Sequence, residues 1–436
     1  MTCSENTIPS YPAIRQLFAP SYQRPVCRRA KMPRKIMILD SSANMFDADD
    51  REFMRKALAL AEEANGLASP NPTVGCVIVR DGNIVGRGWH EYALLDHAEV
   101  RALREASENS RNATAYVTLE PCCQRGRTSP CVEKLIEAGI RRVVAARIDP
   151  NPKVSGRGID LLRSAGVQVD VGLFSDAAGK LIESFACHIA TGLPLVISKV
   201  GMSLDGKIGI SGSRRQSITS PEGRQFGQAL RHEADAILVG VGTVLTDNPE
   251  LTYRGTARRA RPLIRIILDT NLRTPADARL FQATPPSPIL MFCRDGICQD
   301  KRERLIDRGA EIVTVDCSQG ELGLPRILAE LAKRDILGLL VEGGSRIHWS
   351  FLSERLVDKF YFIIAPFVLG GENSIPSVGG KGYGDAAASP RFRVRSSFSM
   401  GPDMVLETYP SYSRSIISPW LSPEDTASAA RDLQPS

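Results

Sequence analysis

The sequence predicts an α/β fold built as two successive units, a layered α/β/α domain followed by a second α/β domain. Short apolar runs alternate with amphipathic stretches along most of the chain, the pattern of strands interleaved with helices. The 436 residues exceed what one core usually supports, about 250. A polar, breaker-rich joint at Thr191–Pro194 divides the alternation into two parts.

Taken in order, Phe53, Met54, Ala57, Leu58 and Ala61 recur at helical spacing from Asp50 onward, and Gly66 stops the helix. Thr73–Arg80 and Asn83–Trp89 are strand-like runs about Asp81-Gly82, a hairpin signature. A helix follows His97. Then come a strand at Ala115–Leu119, a helix at Cys131–Ala138, a strand at Arg142–Ile148 and a helix at Ile159–Ala165. Past the joint, strands are expected at Leu195–Val200, Ala236–Val241, Leu263–Leu268, Pro288–Phe292, Ile312–Val315, Leu339–Val341 and within Lys359–Val368. The resulting division is a basic extension over 1–46, a first domain over 47–190, a second over 194–410, and a polar tail over 411–436 expected to be mobile.

Composition excludes several classes. Apolar residues make up 43% of the chain, too many for a disordered protein, yet no run of about 18 offers a membrane span. The net charge of +6 is concentrated at the start: residues 1–40 hold seven basic and two acidic residues, leaving 48 against 47 elsewhere. The body therefore has no electrostatic footprint for nucleic acid. Ten cysteines, irregularly spaced, are too few for a disulfide scaffold, and reduced thiols in an intracellular protein are expected.

One cluster carries chemistry. His97-Ala98-Glu99 opens a helix, Glu120-Pro121-Cys122 closes a strand, and Cys131 opens the next helix. One imidazole and two thiolates are the protein ligands of an open tetrahedral zinc site, in which the pKa of the metal's water falls to about 7. Glu99 is too close to His97 in sequence to add a fourth ligand on that face, but it can carry protons. That arrangement is the one used by zinc deaminases. A lone His-x-Glu is common and a free Cys is usually a small buried apolar group; the combination gives the signal its weight.

Nucleobase deaminases usually show Pro-Cys-x-x-Cys; here eight residues separate Cys122 from Cys131. With Pro70-Asn71-Pro72, Gly88-Trp89-His90 and Asp149-Pro150-Asn151-Pro152, that insert resembles the deaminase domain of bacterial bifunctional riboflavin-biosynthesis deaminase/reductases, and the likeness runs from about Asp50 to Tyr409. The resemblance implies a cytidine-deaminase-like first domain with His97, Cys122 and Cys131 on Zn2+ and Glu99 as proton shuttle. It further implies that Asn71 and His90 hold a pyrimidine and that Arg127 lies near its phosphate. Gln124 stands where the family usually has His, and Cys123 is expected to be a bystander.

In the second half, Gly240-Val241-Gly242-Thr243 and Val341-Glu342-Gly343-Gly344-Ser345 each follow a strand and precede a helix, where backbone N–H groups can accept phosphate. On spacing alone the reading as simple turns is the stronger one. The same family resemblance implies a dihydrofolate-reductase-like domain using NADPH, with Gly201, Thr243, Asp247, Thr270, Gly344 and Ser345 at the cofactor. Lys199, Arg231, Leu251, Arg254 and Glu342 would meet the substrate, Arg231 and Arg254 as phosphate clamps and Lys199, at a strand end, on the sugar oxygen. Arg215-Gln216-Ser217 departs from the family's Ser-x-Trp. An impaired reductase half, or an enzyme of pteridine- or flavin-like secondary metabolism, therefore stays open beside the bifunctional reading.

The expected partner is a phosphorylated pyrimidine, with no nucleic acid and no membrane, and a homo-oligomer is expected. Residues 1–46 suit an organelle transit peptide, which would place the protein in a plastid, or a bacterial arm or over-long start with Met45 as the first residue, which leaves it cytoplasmic. The composition of this arm cannot bury a core. Removing residues 1–44 is expected to leave the thermal midpoint and both activities nearly unchanged, checked by calorimetry and turnover of the truncated chain.

Overall fold

The computed structural model describes residues 45–125, 129–212, 217–283, 286–318 and 320–415. Two large sheets, one in each half, lie within a single compact unit that begins at Phe46, and two short two-stranded pairs, 317–318 with 321–322 and 207–210 with 374–376, accompany the second. Among the described residues no helix is long and apolar enough to cross a membrane.

Helix α1 (Ala48–Glu63) starts at Asp47, whose side chain accepts from the Asp50 N–H at 2.7 Å. The helix thus begins slightly ahead of the expected Asp50, with Phe46 already buried. The hairpin forms as read, β1 (Gly75–Arg80) and β2 (Asn83–Trp89), and Asp81 and Gly82 take φ of 49° and 73°, as a two-residue turn with both central residues at positive φ requires. There follow α2 (Ala98–Ala106), β3 (Thr114–Val117), α3 (Cys131–Glu137), β4 (Arg142–Ala145) and α4 (Arg157–Ser164). Beyond these, β5 (Gln168–Val171), α5 (Ser175–Leu181) and α6 (Glu183–Thr191) were not legible from periodicity, because β5 and α5 carry few apolar side chains.

The first sheet has the order β2-β1-β3-β4-β5, antiparallel through β2, β1 and β3 and parallel from β3 to β5. Alternate residues serve two cores. Cys76, Ile78, Ala115, Val117 and Val143 meet α2, α3 and α4 on one face; Val77, Val79, Tyr116 and Val144 meet Phe53, Met54 and Leu58 on the other. Gly88 permits the close approach of α2: a Cβ there would stand 2.0 Å from the Ala98 carbonyl oxygen. The glycine seats on the sheet the helix that follows His97.

The second half contains β6 (Leu195–Ser203), β7 (Lys207–Ile210), α7 (Pro221–Glu233), β8 (Ala236–Gly240), α8 (Val241–Asp247), β9 (Ile264–Leu268), β10 (Ile289–Cys293), α9 (Gln299–Ile306) and β11 (Ala310–Thr314). Next come the short pair β12 (Cys317–Ser318) and β13 (Glu321–Leu322), then α10 (Leu324–Ala332), β14 (Gly338–Val341), α11 (Ser345–Ser353), β15 (Lys359–Ala365), β16 (Ser374–Pro376), β17 (Phe392–Met400) and β18 (Asp403–Pro410). The large sheet runs β11-β10-β9-β8-β14-β6-β15-β18-β17, parallel as far as β15 and antiparallel beyond. Lys199 lies in the middle of β6 and not at a strand end, since the strand continues to Ser203 beside β15.

The polar tail expected from 411 onward is corrected at its start. The Arg414 guanidinium donates to Asp358 through Nε at 2.8 Å and Nη2 at 2.6 Å, and Ser413 Oγ donates to the Asp358 carbonyl at 2.6 Å, all buried. Hydropathy missed this because the segment is anchored by charge. Residues 416–436 lie outside the described residues. Arg414→Met leaves Asp358 buried without its cation and is expected to cost about 3–5 kcal/mol, read as a lowered urea midpoint at unchanged slope.

Candidate active site

His97 is the N-cap of α2, Cys131 the first residue of α3, and Cys122 lies just past β3. Their donor atoms, one from each residue, all fall within 4.8 Å of one another. His97 Nδ1 lies 3.2 Å from Cys131 Sγ and 3.4 Å from Cys122 Sγ. Zn–S and Zn–N bonds of about 2.3 and 2.0 Å give tetrahedral edges of roughly 3.5–3.8 Å, so the trio fits zinc with a position left over. The three groups titrate together. Hydrogen bonds from Cys131 and His97 pull the Cys122 thiol down to about 4, and the bond to Cys122 pushes His97 up to about 9. The same bond to Cys122, with burial, pushes the Cys131 thiol up.

Glu99, one residue into the same helix, is buried and is not among the converging donors. Burial pushes its carboxyl up to about 7, with His97 acting in the opposite sense. A group so poised can take and return a proton at neutral pH. Cys123 lies apart from the donor cluster, as expected of a bystander.

His97, Glu99 and Cys122 open into a cavity of about 500 Å³, also lined by Asn71, His90, Gln124, Asn151, Phe185 and Asp335. His90 Nδ1 lies 3.0 Å from the Asp96 carbonyl oxygen, which can only accept, so Nδ1 carries the proton. His90 Nε2 then accepts from Asn71 Nδ2 at 3.0 Å, and burial lowers the imidazole pKa. The pair is thereby fixed, with the Asn71 carbonyl oxygen left over as an acceptor. Gln124 Nε2 donates to the Lys153 carbonyl at 2.8 Å. Arg127 lies outside the described residues.

The sequence reading assigned Glu120 no role, yet its carboxylate accepts from the backbone N–H groups of Asp149, Gly156, Gly158 and Ile159. Gly158 allows this approach, since a Cβ there would stand 2.2 Å from the Pro121 carbonyl oxygen. An acidic residue beside the Pro-Cys pair was the available signal. Nothing in the sequence pointed to Phe185 or Asp335, which reach the cavity from α6 and from the turn before β14.

The second constellation gathers at the carboxyl ends of adjacent parallel strands, where ligands of open α/β sheets bind. Gly240 ends β8 and Thr243 follows it, Glu342, Gly344 and Ser345 follow β14, Thr270 follows β9, and Gly201 lies late in β6. A Cβ on Gly344 would lie 3.8 Å from Thr243 Oγ1, so the two turns adjoin. Ser345 Oγ is buried without a hydrogen-bond partner in the protein, a donor suited to a phosphorylated cofactor. Asp247 ends α8.

Glu342 is buried between two cations. Lys199 Nζ lies 3.2 Å away, and Arg231 meets the carboxylate through Nε and Nη2, both at 2.9 Å. Burial alone would raise the Glu342 pKa, but Arg231 and Lys199 hold it far below the usual carboxylate range. Arg231 Nη1 donates to the Thr252 carbonyl at 2.8 Å. The guanidinium of Arg231, expected at the substrate's phosphate, is thus engaged by Glu342 and by the loop that carries Leu251. Leu251 is buried at φ 56°, whereas Arg254 is exposed. Ser217 is exposed, and Arg215 lies outside the described residues.

Residues 47–147 match the family model for the cytidine and deoxycytidylate deaminase zinc-binding region, and residues 194–406 match that for the RibD C-terminal domain. The chain is 40% identical to the riboflavin biosynthesis protein RibD of Aquifex aeolicus over 82% of this chain and 97% of that protein. It is 38% identical to its Escherichia coli counterpart over 82% and 98%. Among solved structures, RibD of Acinetobacter baumannii superposes with a TM-score of 0.74 at 34% identity, covering 83% of this chain and 99% of that one. A Thermotoga maritima diaminohydroxyphosphoribosylaminopyrimidine deaminase/5-amino-6-(5-phosphoribosylamino)uracil reductase gives 0.72 at 32%, with the same coverage.

Since Glu99 stands outside the donor set, Glu99→Gln is expected to retain zinc while losing deamination by at least about a hundredfold. His97→Ala, Cys122→Ala and Cys131→Ala are expected to lose the metal. Metal analysis of the purified variants checks both, and a zinc-free Glu99→Gln protein contradicts the role.

Proposed function

The chain belongs to the RibD family of riboflavin-biosynthesis proteins, and from that premise we propose how its residues divide two reactions. It is a bifunctional enzyme, a zinc-dependent deaminase followed by an NADPH-dependent reductase. We assign 47–190 to the first activity and 194–410, with the Ser413–Ser415 anchor, to the second. The substrate is diaminohydroxyphosphoribosylaminopyrimidine, and the product of both steps is 5-amino-6-(5-phosphoribitylamino)uracil. The convergence of His97, Cys122 and Cys131, with buried Glu99, at the wall of one cavity carries this reading.

In the deaminase half, His97, Cys122 and Cys131 hold zinc, which when bound polarises a water. Glu99 would carry the two protons of the attacking water, one to the ring nitrogen and one to the departing amino group, so that the water oxygen replaces the amino nitrogen on the ring carbon and ammonia leaves. The Asn71–His90 pair, fixed by Asp96, orients the pyrimidine ring. Arg127 is assigned to the phosphate by family resemblance alone.

In the reductase half, Gly201, Thr243, Asp247, Thr270, Gly344 and Ser345 form the NADPH site, and NADPH when bound supplies the hydride. Lys199 protonates the ribose ring oxygen as the ring opens, with Glu342 fixing its ammonium group. Arg231 positions Glu342 and the Leu251 loop, while exposed Arg254 is the phosphate ligand. We place the enzyme in the cytoplasm as a homo-oligomer.

Ser217, where the family usually carries Trp, favours a second reading, a working deaminase with a weakened reductase. Ammonia release and NADPH oxidation, measured separately on the pathway intermediates, decide between them: the bifunctional reading requires both. Arg254→Ala is expected to raise the reductase Michaelis constant about tenfold and leave NADPH affinity alone. Ser217→Trp is expected to tighten NADPH roughly twofold to tenfold if the aromatic wall is restored.

A further inference from the structure

Asp335 belongs to the second half of the chain, in the turn between α10 and β14, yet it lines the deaminase cavity. Its position there is fixed by backbone. Arg261 Nη2 donates to the Asp335 carbonyl at 2.8 Å, to Ser69 Oγ at 2.9 Å and to Asp235 Oδ1 at 3.0 Å. Ser69 Oγ donates to the same Asp235 oxygen at 2.5 Å, and Asp235 Oδ2 accepts from the N–H groups of Leu337 and Gly338 at 2.8 and 2.9 Å. Ser69 leads into Pro70 and Asn71, which line the cavity as well. One ionic knot thus ties the turn carrying Asp335 to the loop carrying Asn71.

The Asp335 side chain takes no part in that knot. Among the described residues its carboxylate makes no hydrogen bond or ion pair, and the residue is exposed at φ 55°. We propose that Asp335, supplied by the reductase half, is a substrate-binding residue of the deaminase, accepting hydrogen bonds from the hydroxyl groups of the substrate's ribosyl arm. This rests on the deaminase reading of the cavity. The amino group that is lost must reach buried Glu99, so the sugar arm points to the exposed mouth, where Asp335 stands. A carboxylate can only accept hydrogen bonds and repels phosphate, so within that arm it selects hydroxyl donors.

β14 then serves both reactions. Its amino end carries the Asp335 turn, and Glu342 and Gly344 follow its carboxyl end in the reductase site. Seven residues of extended chain put Asp335 and Glu342 roughly 23 Å apart, far enough for a change at one end to leave the other undisturbed.

The positive φ of Asp335 decides which substitutions keep the turn. Asn and Gly both tolerate that conformation, whereas Ala would strain it. Asp335→Gly is expected to raise the deaminase Michaelis constant about tenfold, or roughly 1.4 kcal/mol, with kcat within about twofold. Asp335→Asn, which keeps one acceptor oxygen, is expected to fall between. Reductase kcat and Michaelis constant, measured on the same preparations with the deaminated intermediate, should not change. An unaltered deaminase Michaelis constant in both variants overturns the proposal, as does an equal loss of both activities, which would make the turn a purely structural element. A wild-type enzyme that releases no ammonia would instead refute the deaminase reading itself and take this proposal with it.

Discussion

The carboxylate of Glu120, three residues past the end of β3, is buried and accepts from four backbone N–H groups, at distances between 2.9 and 3.3 Å. Left unpaired, each of those donors would cost about 1–3 kcal/mol. Two residues further on stands Cys122, so the same short segment carries a metal ligand and the anchor for the 149–159 loop. That loop supplies Asp149, Asn151 and Val154 to the cavity. The ligand geometry and the cavity wall are consequently set by one charge. A neutral side chain there could not satisfy so many donors, and a longer carboxylate does not exist among the amino acids.

A second buried charge network holds the halves together. Lys359 Nζ lies 2.8 Å from Glu183 and 2.9 Å from Glu407, and Glu407 also takes bonds from Lys180, Tyr361 and Ser396. Ser415 Oγ completes Glu183 at 2.6 Å. Burying such charges is costly unless every member is partnered, and here both carboxylates are. The network fixes α6, and α6 carries Phe185 into the deaminase cavity. The joint between the sheets is therefore part of the first site, and the two halves are not beads on a string.

The large parallel sheet presents different chemistry at its two ends. Its carboxyl edge gathers glycine turns, the unpartnered hydroxyl of Ser345 and the Lys199–Glu342–Arg231 cluster. Its amino edge, at β8 and β14, is bound to the first half by Arg261, Asp235 and Ser69. Parallel strands force this separation, because all their carboxyl ends lie on one side.

The sequence by itself determined the α/β class, most strands, the metal trio, Glu99 and the pair of glycine turns. Each of these rests on local chemistry: apolar periodicity for the strands, ligand type and spacing for the metal site, backbone freedom for the turns. The quiet elements β5, α5 and the 413–415 anchor escaped, since polar segments held by charge leave no hydropathy trace. Tertiary structure alone decided that Arg231 pairs with Glu342, and that Glu120 organises a wall. It alone brought Asp335 to the cavity of Glu99, 236 positions earlier in the chain. Partners so far apart in sequence are chosen by strand order and helix docking, and no window of neighbouring residues records that choice.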